Sequence, residues 1–281
     1  MKTQFIRAAS LSSVLLLSAG AAHAEFGFTP RVNAGVMNYS YKLTINNLQS
    51  GAGGVWHKVS DTVGILGIGG TVSFDRFFVD IYGQMSGEGN GTYTYDLADP
   101  RVPGNEMDFE REDYAISLGY ALHENLSLFA GYKWGKTDFS ESYNPQTGGG
   151  FLEYFDTEFK EDGPFVGAAI GWPVGNGLVA INIAVAMLDA ENNQTKVGQA
   201  GSYLDFSGDT VGVNFGVSWR APITDNLSYS LSLDGYRYSF DPDSVSGSSL
   251  GGASGDPRDL NLAVKAKEDA VAIKAGIAYR F

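Results

Sequence analysis

The feature that most constrains the fold is the strict alternation of side-chain character in the stretch 268–281, EDAVAIKAGIAYRF. Successive side chains of a β-strand point to opposite faces, so alternation with a period of two predicts a strand with one apolar face. Small or charged residues occupy the positions between the apolar ones. The apolar face comprises Val271, Ile273, Ala275, Ile277, Tyr279 and Phe281.

Nine earlier segments show similar alternation, which predicts ten strands of comparable length. The connections between them alternate strictly between short and long. At residues 37–41 the alternation changes, and we interpret the change as a register shift through a β-bulge. The predicted strands are 28–43, 61–74, 77–86, 113–122, 126–138, 162–172, 178–189, 208–220, 227–240 and the segment 268–281. The short connections are 75–76, 123–125, 173–177 and 221–226, and the long ones are 44–60, 87–112, 139–161, 190–207 and 241–267.

The final strand resembles the closing strand of Gram-negative outer-membrane β-barrel proteins. The resemblance rests on Phe281 as the last residue and on a second aromatic, Tyr279, two positions earlier. It implies an all-β, up-and-down antiparallel transmembrane β-barrel of ten strands, or of eight if the first two are irregular. It also implies a monomer with short periplasmic turns and five long extracellular loops. The expected partners are outer-membrane lipid, lipopolysaccharide and the barrel-insertion machinery, which reads Phe281.

A soluble barrel with an apolar interior would give the same alternation. Two features favour the membrane form. Small residues fall on one face and bulky aliphatic residues on the other, as expected for a lumen and a lipid-facing surface. Aromatic residues also concentrate at the strand ends of the bulky face, where transmembrane barrels carry aromatic girdles. The predicted girdle residues are Phe74, Phe77, Tyr132, Trp134, Trp172, Trp219, Tyr279 and Phe281.

The first 24 residues have the organisation of a secretory signal peptide. Lys2 and Arg7 precede an apolar run at 8–21, which ends in the small-residue motif at 22–24. We therefore expect export and a barrel that occupies residues 25–281. No later segment has eighteen consecutive apolar residues, and the chain contains no cysteine for a disulfide or a lipid anchor. A formal net charge of −13 argues against nucleic-acid binding.

Six charged residues are predicted to face the lumen: Arg31, Asp80, Lys133, Asp234, Lys274 and Arg280. They could form ion pairs that fill and stiffen the barrel, or a constriction that selects permeating solutes. We predict a narrow channel for passive passage of small solutes, at the cell outer membrane. The alternative is a closed barrel that anchors surface loops for ligand binding or adhesion.

Enzymatic function is not expected, and we predict no cofactor or metal site. The omptin proteases resemble the chain in size and strand number, but their dependence on a His–Asp pair finds no match late in this sequence. His57, in the first predicted loop, is the one histidine that could belong to a loop-sited hydrolase, the least favoured function. The resemblance to omptins therefore extends only to architecture.

Overall fold

A computed structural model describes residues 26–50, 53–92, 106–143 and 152–281. The predicted signal peptide lies outside the described residues. Among those residues, no helix is long and apolar enough to cross a membrane. The strands are β1 (Phe26–Asn47), β2 (Gly53–Phe74), β3 (Phe77–Ser86), β4 (Gly89–Thr92), β5 (Glu106–His123), β6 (Leu126–Tyr143), β7 (Leu152–Val174), β8 (Gly177–Lys196), β9 (Ser202–Pro222), β10 (Leu227–Phe240), β11 (Ser244–Ser246), β12 (Ser254–Gly255) and β13 (Leu262–Tyr279).

The strands form a closed antiparallel barrel with ten strand positions around its circumference, as the sequence predicts. We call each of these positions a stave. Neighbours follow chain order from β1 to β10, with β4 continuing the stave of β3 along β5. β13 pairs with β10 on one side and with β1 on the other, which closes the barrel. The short strands β11 and β12 extend the edge of β9.

β3 and β10 have the predicted bounds, and the other strands of the barrel are longer than predicted because residues interpreted as loops continue the ladders. β7 has 23 residues, whereas a strand tilted by about 40° needs only about 10 to cross a bilayer. The short connections lie close to where the sequence placed them, and Asp75 adopts a left-handed conformation in the tightest one. We call the end of the barrel with these short connections the turn end, and the opposite end the loop end.

Side-chain polarity inverts part-way along the barrel. Towards the turn end, outward side chains are apolar and inward ones are mostly small or polar; towards the loop end, the arrangement is reversed. On β8 the outward face changes from Met187 to Asp189, and on β13 it changes from Val271 to Asp269. We call the two parts the turn half and the loop half.

This inversion corrects the bulge predicted at residues 37–41. Met37, Tyr39 and Tyr41 point inward in the same register as Arg31, and the ladder with β2 is continuous through them. The register of that ladder shifts only at Leu43 and Thr44. The sequence pattern changes at Met37 because the two faces of the strand exchange polarity there. No bulge shifts the register at this point.

Candidate functional site

The barrel interior is the candidate site, and its layer nearest the turn end is an ion pair. Arg31 on β1 donates from Nη1 and Nη2 to the two carboxylate oxygens of Asp80 on β3, at 2.7 and 2.9 Å. The Thr71 hydroxyl donates to Asp80 Oδ1 at 2.5 Å. Both charged side chains are about 96% buried, with 4% exposure each. Bidentate geometry and the added hydroxyl compensate for the loss of hydration.

A second ion pair borders a cavity of about 130 Å³ in the turn half. Lys274 Nζ on β13 lies 3.0 Å from Asp234 Oδ2 on β10. The cavity is also lined by Lys133 and by the rings of Tyr82 and Tyr236. The lining is mixed: these charged and polar groups lie beside apolar side chains such as Phe129 and Phe165, and they offer hydrogen-bond partners to ordered water.

Arg111 forms the centre of the next layer, where the turn half meets the loop half. Its guanidinium donates to Glu161 Oε1 at 2.7 Å, to Asp113 Oδ1 at 2.7 Å and also to Glu268. Lys133 Nζ bonds the same Glu161 oxygen at 2.8 Å. Because Glu268 lies on β13, four staves from β5, the layer crosses the lumen. We call this set of five residues the charge layer.

Arg111 and Glu161 lie in segments that the sequence pattern predicts to be loops, so neither was identified as a lumen residue. The signal that could have found Arg111 is the inward spacing of Met107, Phe109 and Arg111, with carboxylates at the positions between them. This is strand alternation with the apolar side facing inward. Arg220, a further buried basic residue near the turn end, was also missed.

An aromatic cluster closes the loop half above the charge layer. The ring of Tyr41 on β1 lies 5.0 Å from the ring of Phe159 on β7 and 5.0 Å from that of Phe139 on β6. β7 is five staves from β1 in either direction, so the first contact spans the diameter of the barrel. Phe240 on β10 packs edge-on against Phe159 at 5.2 Å. We call these four buried side chains the aromatic plug.

His57 lies inside the loop half instead of in a solvent-exposed loop. Its Nδ1 is 2.7 Å from Glu141 Oε1, and its Nε2 is 3.2 Å from the Gln194 amide nitrogen. The residue is only 2% exposed. The prediction of a loop position is wrong because the ladders of β2 and β6 continue past the expected ends of those strands.

Comparisons with known proteins identify the architecture. No family model matches the chain, and no curated protein does. The outer membrane protease OmpT from Escherichia coli is similar in structure, with a TM-score of 0.63 and 13% sequence identity over 91% of this chain and 97% of that one. The translocator domain of the autotransporter NalP from Neisseria meningitidis aligns with a TM-score of 0.48 and 11% identity, over 94% of this chain and 90% of that one.

The chain has the fold of an outer-membrane β-barrel. Five of the six predicted lumen charges, Arg31, Asp80, Lys133, Asp234 and Lys274, are buried within this barrel. Arg280 is half-buried at the turn end, where its backbone N–H donates to the Asn226 carbonyl at 2.8 Å.

The predicted girdle residues lie on the outer surface of the barrel. Phe281 is 73% exposed and stacks beside Phe28, with ring centroids 6.0 Å apart. Tyr132 and Trp219 are only partly exposed, because the ring of Tyr132 packs against Trp134 and that of Trp219 against Tyr229. The remaining girdle residues, Phe74, Phe77, Trp134, Trp172 and Tyr279, are exposed.

Proposed function

We propose that this chain is an integral outer-membrane protein whose barrel is closed and displays its loop half at the cell surface for ligand binding or adhesion. The observation that carries the proposal is the contact of Tyr41 with Phe159 across the full diameter. Phe139 and Phe240 fill the space on either side. A permeating solute would have to displace this plug and then the charge layer.

The proposed placement puts the turn half in lipid and the loop half outside the cell. Its support is the apolar outer surface of the turn half: on β8 the outward apolar residues run from Val179 to Met187, about the length that a tilted strand needs to cross the roughly 25 Å band of transmembrane barrels. The exposed aromatics beside the turns correspond to the inner girdle. We further propose a monomer that contacts lipopolysaccharide and is inserted through recognition of Phe281.

Conductance in planar lipid bilayers tests closure. We expect the inserted wild-type barrel to show no stable current steps, because side chains occupy the lumen at two successive levels. Heat-modifiable migration in gels verifies that the same preparation is folded, so an absence of current cannot be attributed to unfolded protein. Stable single-channel steps from folded protein would contradict the proposal.

A narrow channel is the second candidate, and the cavity of about 130 Å³ with its charged lysines favours it. For this function the aromatic plug would have to move aside. The cavity charges Lys274 and Lys133 would then control ion selectivity. If current steps are observed, Lys274→Gln should shift the reversal potential towards cation selectivity, and an unchanged reversal potential would exclude this path.

We propose no enzymatic role for His57. Its burial and its bonds to Glu141 and Gln194 support a structural role at the loop end. Any hydrolytic activity found in the purified barrel should therefore persist in His57→Ala. Loss of such activity in a variant that remains folded would contradict this assignment.

A further inference from the structure

Three lysines stand side by side on the outer surface of the loop half. Lys42 on β1 is directly opposite Lys267 on β13 and directly opposite Lys58 on β2. All three occupy outward positions of their strands. Side chains in such positions start only about 5 Å apart. We call these residues the lysine row.

Placing like charges directly opposite each other is unfavourable in a sheet. Within the described part of the chain, no carboxylate forms an ion pair with the lysine row. Two acidic residues lie near it on the same face, but Asp269 binds Arg237 at 2.5 Å and Asp241 binds Lys265 at 3.3 Å. The surface is thus locally basic in a chain whose formal net charge is −13.

A second lysine pair on the other side of the barrel shows how the chain neutralises such a contact. Lys136 on β6 is directly opposite Lys160 on β7. Glu158 lies 2.9 Å from Lys136 and 2.5 Å from Lys160, and Asp138 lies 3.0 Å from Lys136. The lysine row has the same strand geometry without such carboxylates among the described residues, so within that part of the chain its counter-charge is left to another molecule or to solvent ions.

The height of the lysine row limits what that molecule is. Lys267 lies four positions beyond Val271, the last apolar outward residue of β13, Lys42 lies six beyond Val36 on β1, and Lys58 lies eight beyond Leu66 on β2. At roughly 2.5 Å of height per tilted residue, these positions are about 10–20 Å above the apolar band. Lysine side chains are long enough to reach down towards lipid headgroups.

We propose that the lysine row binds phosphate groups of a phosphorylated glycolipid of the outer leaflet, which is lipopolysaccharide chemistry. The inference rests on the proposed outer-membrane placement and assigns that lipid a specific site. Three converging ammonium groups neutralise a phosphate as point charges, without the planar fork that arginine provides. The bound phosphate in turn removes the repulsion within the row.

The test is a titration of full-length barrel, folded in zwitterionic detergent, with purified rough lipopolysaccharide, read by native mass spectrometry. The variant Lys42→Gln/Lys58→Gln/Lys267→Gln should raise the apparent dissociation constant at least tenfold, since each lysine near a lipid surface contributes roughly a fivefold effect. The control Lys136→Gln/Lys160→Gln should bind within twofold of wild type. Unchanged binding by the triple variant, or an equal loss in the control, would overturn the proposal.

Two further probes separate the sources of phosphate. Chemically dephosphorylated lipopolysaccharide should bind wild type as weakly as intact lipid binds the triple variant; equal binding of both lipids would overturn the role of phosphate. Inorganic phosphate at 10-fold molar excess over the lipid should not displace it, and full displacement would overturn the assignment to a lipid. Lipid binding is measured on folded barrel in detergent, whereas closure is measured as conductance in a bilayer. A failure of the lysine-row proposal can therefore be distinguished from a failure of the proposed closed barrel.

Discussion

The turn half and the loop half are made from the same ten staves but follow opposite rules of side-chain placement. In the turn half, Ile183 and Leu66 face outward, while Asn182 and Asp80 face inward, and Asn182 lines the cavity. In the loop half, inward positions hold an apolar cluster and outward positions hold charged residues. In the proposed placement, the same continuous ladder lies in lipid at one end of the barrel and in water at the other.

The proposed placement explains this difference, because the surroundings of a strand decide which of its faces is apolar. Lipid tails around the turn half would provide no driving force for burying apolar side chains in the lumen, so that half tolerates small residues, ion pairs and a cavity. Water around the loop half would favour an apolar interior through the hydrophobic effect.

The charge layer between the halves should give the largest effect on stability. Arg111→Leu leaves the carboxylates of Glu161, Glu268 and Asp113 without their shared donor in a buried layer. We expect it to lower the free energy of unfolding by about 5 kcal/mol. Urea titration of the barrel folded in lipid vesicles, followed by tryptophan fluorescence, measures the change.

A double variant provides the control for this prediction. Arg111→Leu/Glu268→Leu removes one of the abandoned carboxylates, so it should be more stable than Arg111→Leu alone. This result distinguishes a charge left unpaired from simple loss of packing volume. If the second substitution lowers stability further, the loss in Arg111→Leu does not come from carboxylates left unpaired.

The aromatic plug should give the next largest effect, and β7 offers a matched pair within one strand. Phe159 and Phe165 both face inward, one in each half, and both are buried. Phe159→Ala should cost about 4 kcal/mol, because it opens a void in a packed apolar cluster. Phe165 lines the cavity of the turn half, where water bound to its polar groups can extend into the added space, so Phe165→Ala should cost about 2 kcal/mol. Equal losses in the same unfolding titration would contradict the distinction between the halves.

The sequence predicted the turn half well and the loop half poorly, for a physical reason. On β8, Ile181, Ile183 and Val185 alternate with small or polar residues, and this pattern matches a lipid-facing strand. Beyond the polarity inversion the outward residues are polar. A pattern of outward apolar residues therefore ends there, and the rest of each strand is predicted to be a loop. Arg111 was lost in this way, although Met107 and Phe109 preserve the alternation on the inward side.

The pairing of the interior charges could not be predicted even where their direction could. Arg111 and Glu268 are 157 positions apart in the chain, and only the register of four intervening strand pairs brings them together. Local alternation fixes which face a residue occupies but not its height in the barrel. Lys133 was accordingly placed in the lumen, whereas its partner Glu161 was not identified.

Two arginine substitutions on the outer face of β8 should show on which side of the inversion the lipid-facing band ends. Ile183 and Asn193 both face outward on β8, one on each side of the inversion between Met187 and Asp189. Ile183→Arg should cost about 3 kcal/mol, because the charge enters the lipid-facing band, and Asn193→Arg about 0.5 kcal/mol or less. Vesicle refolding titrations measure both. Similar costs at both sites would mean that lipid does not end at the inversion.

The smallest effect is expected on the outer surface of the loop half, where ion pairs are exposed to water. Hydrogen bonds from Lys160 and Lys136 hold the pKa of Glu158 below its ordinary value of 4.5. A lowered folded-state pKa contributes stability above pH 4.5 and loses it as the pH falls through the lowered value. Wild type should therefore exceed Glu158→Gln by about 0.5 kcal/mol at pH 7, and this difference should be smaller at pH 3. Unfolding titrations at the two pH values measure this, and a difference of several kcal/mol would place Glu158 with the buried charge layer instead of the solvated surface.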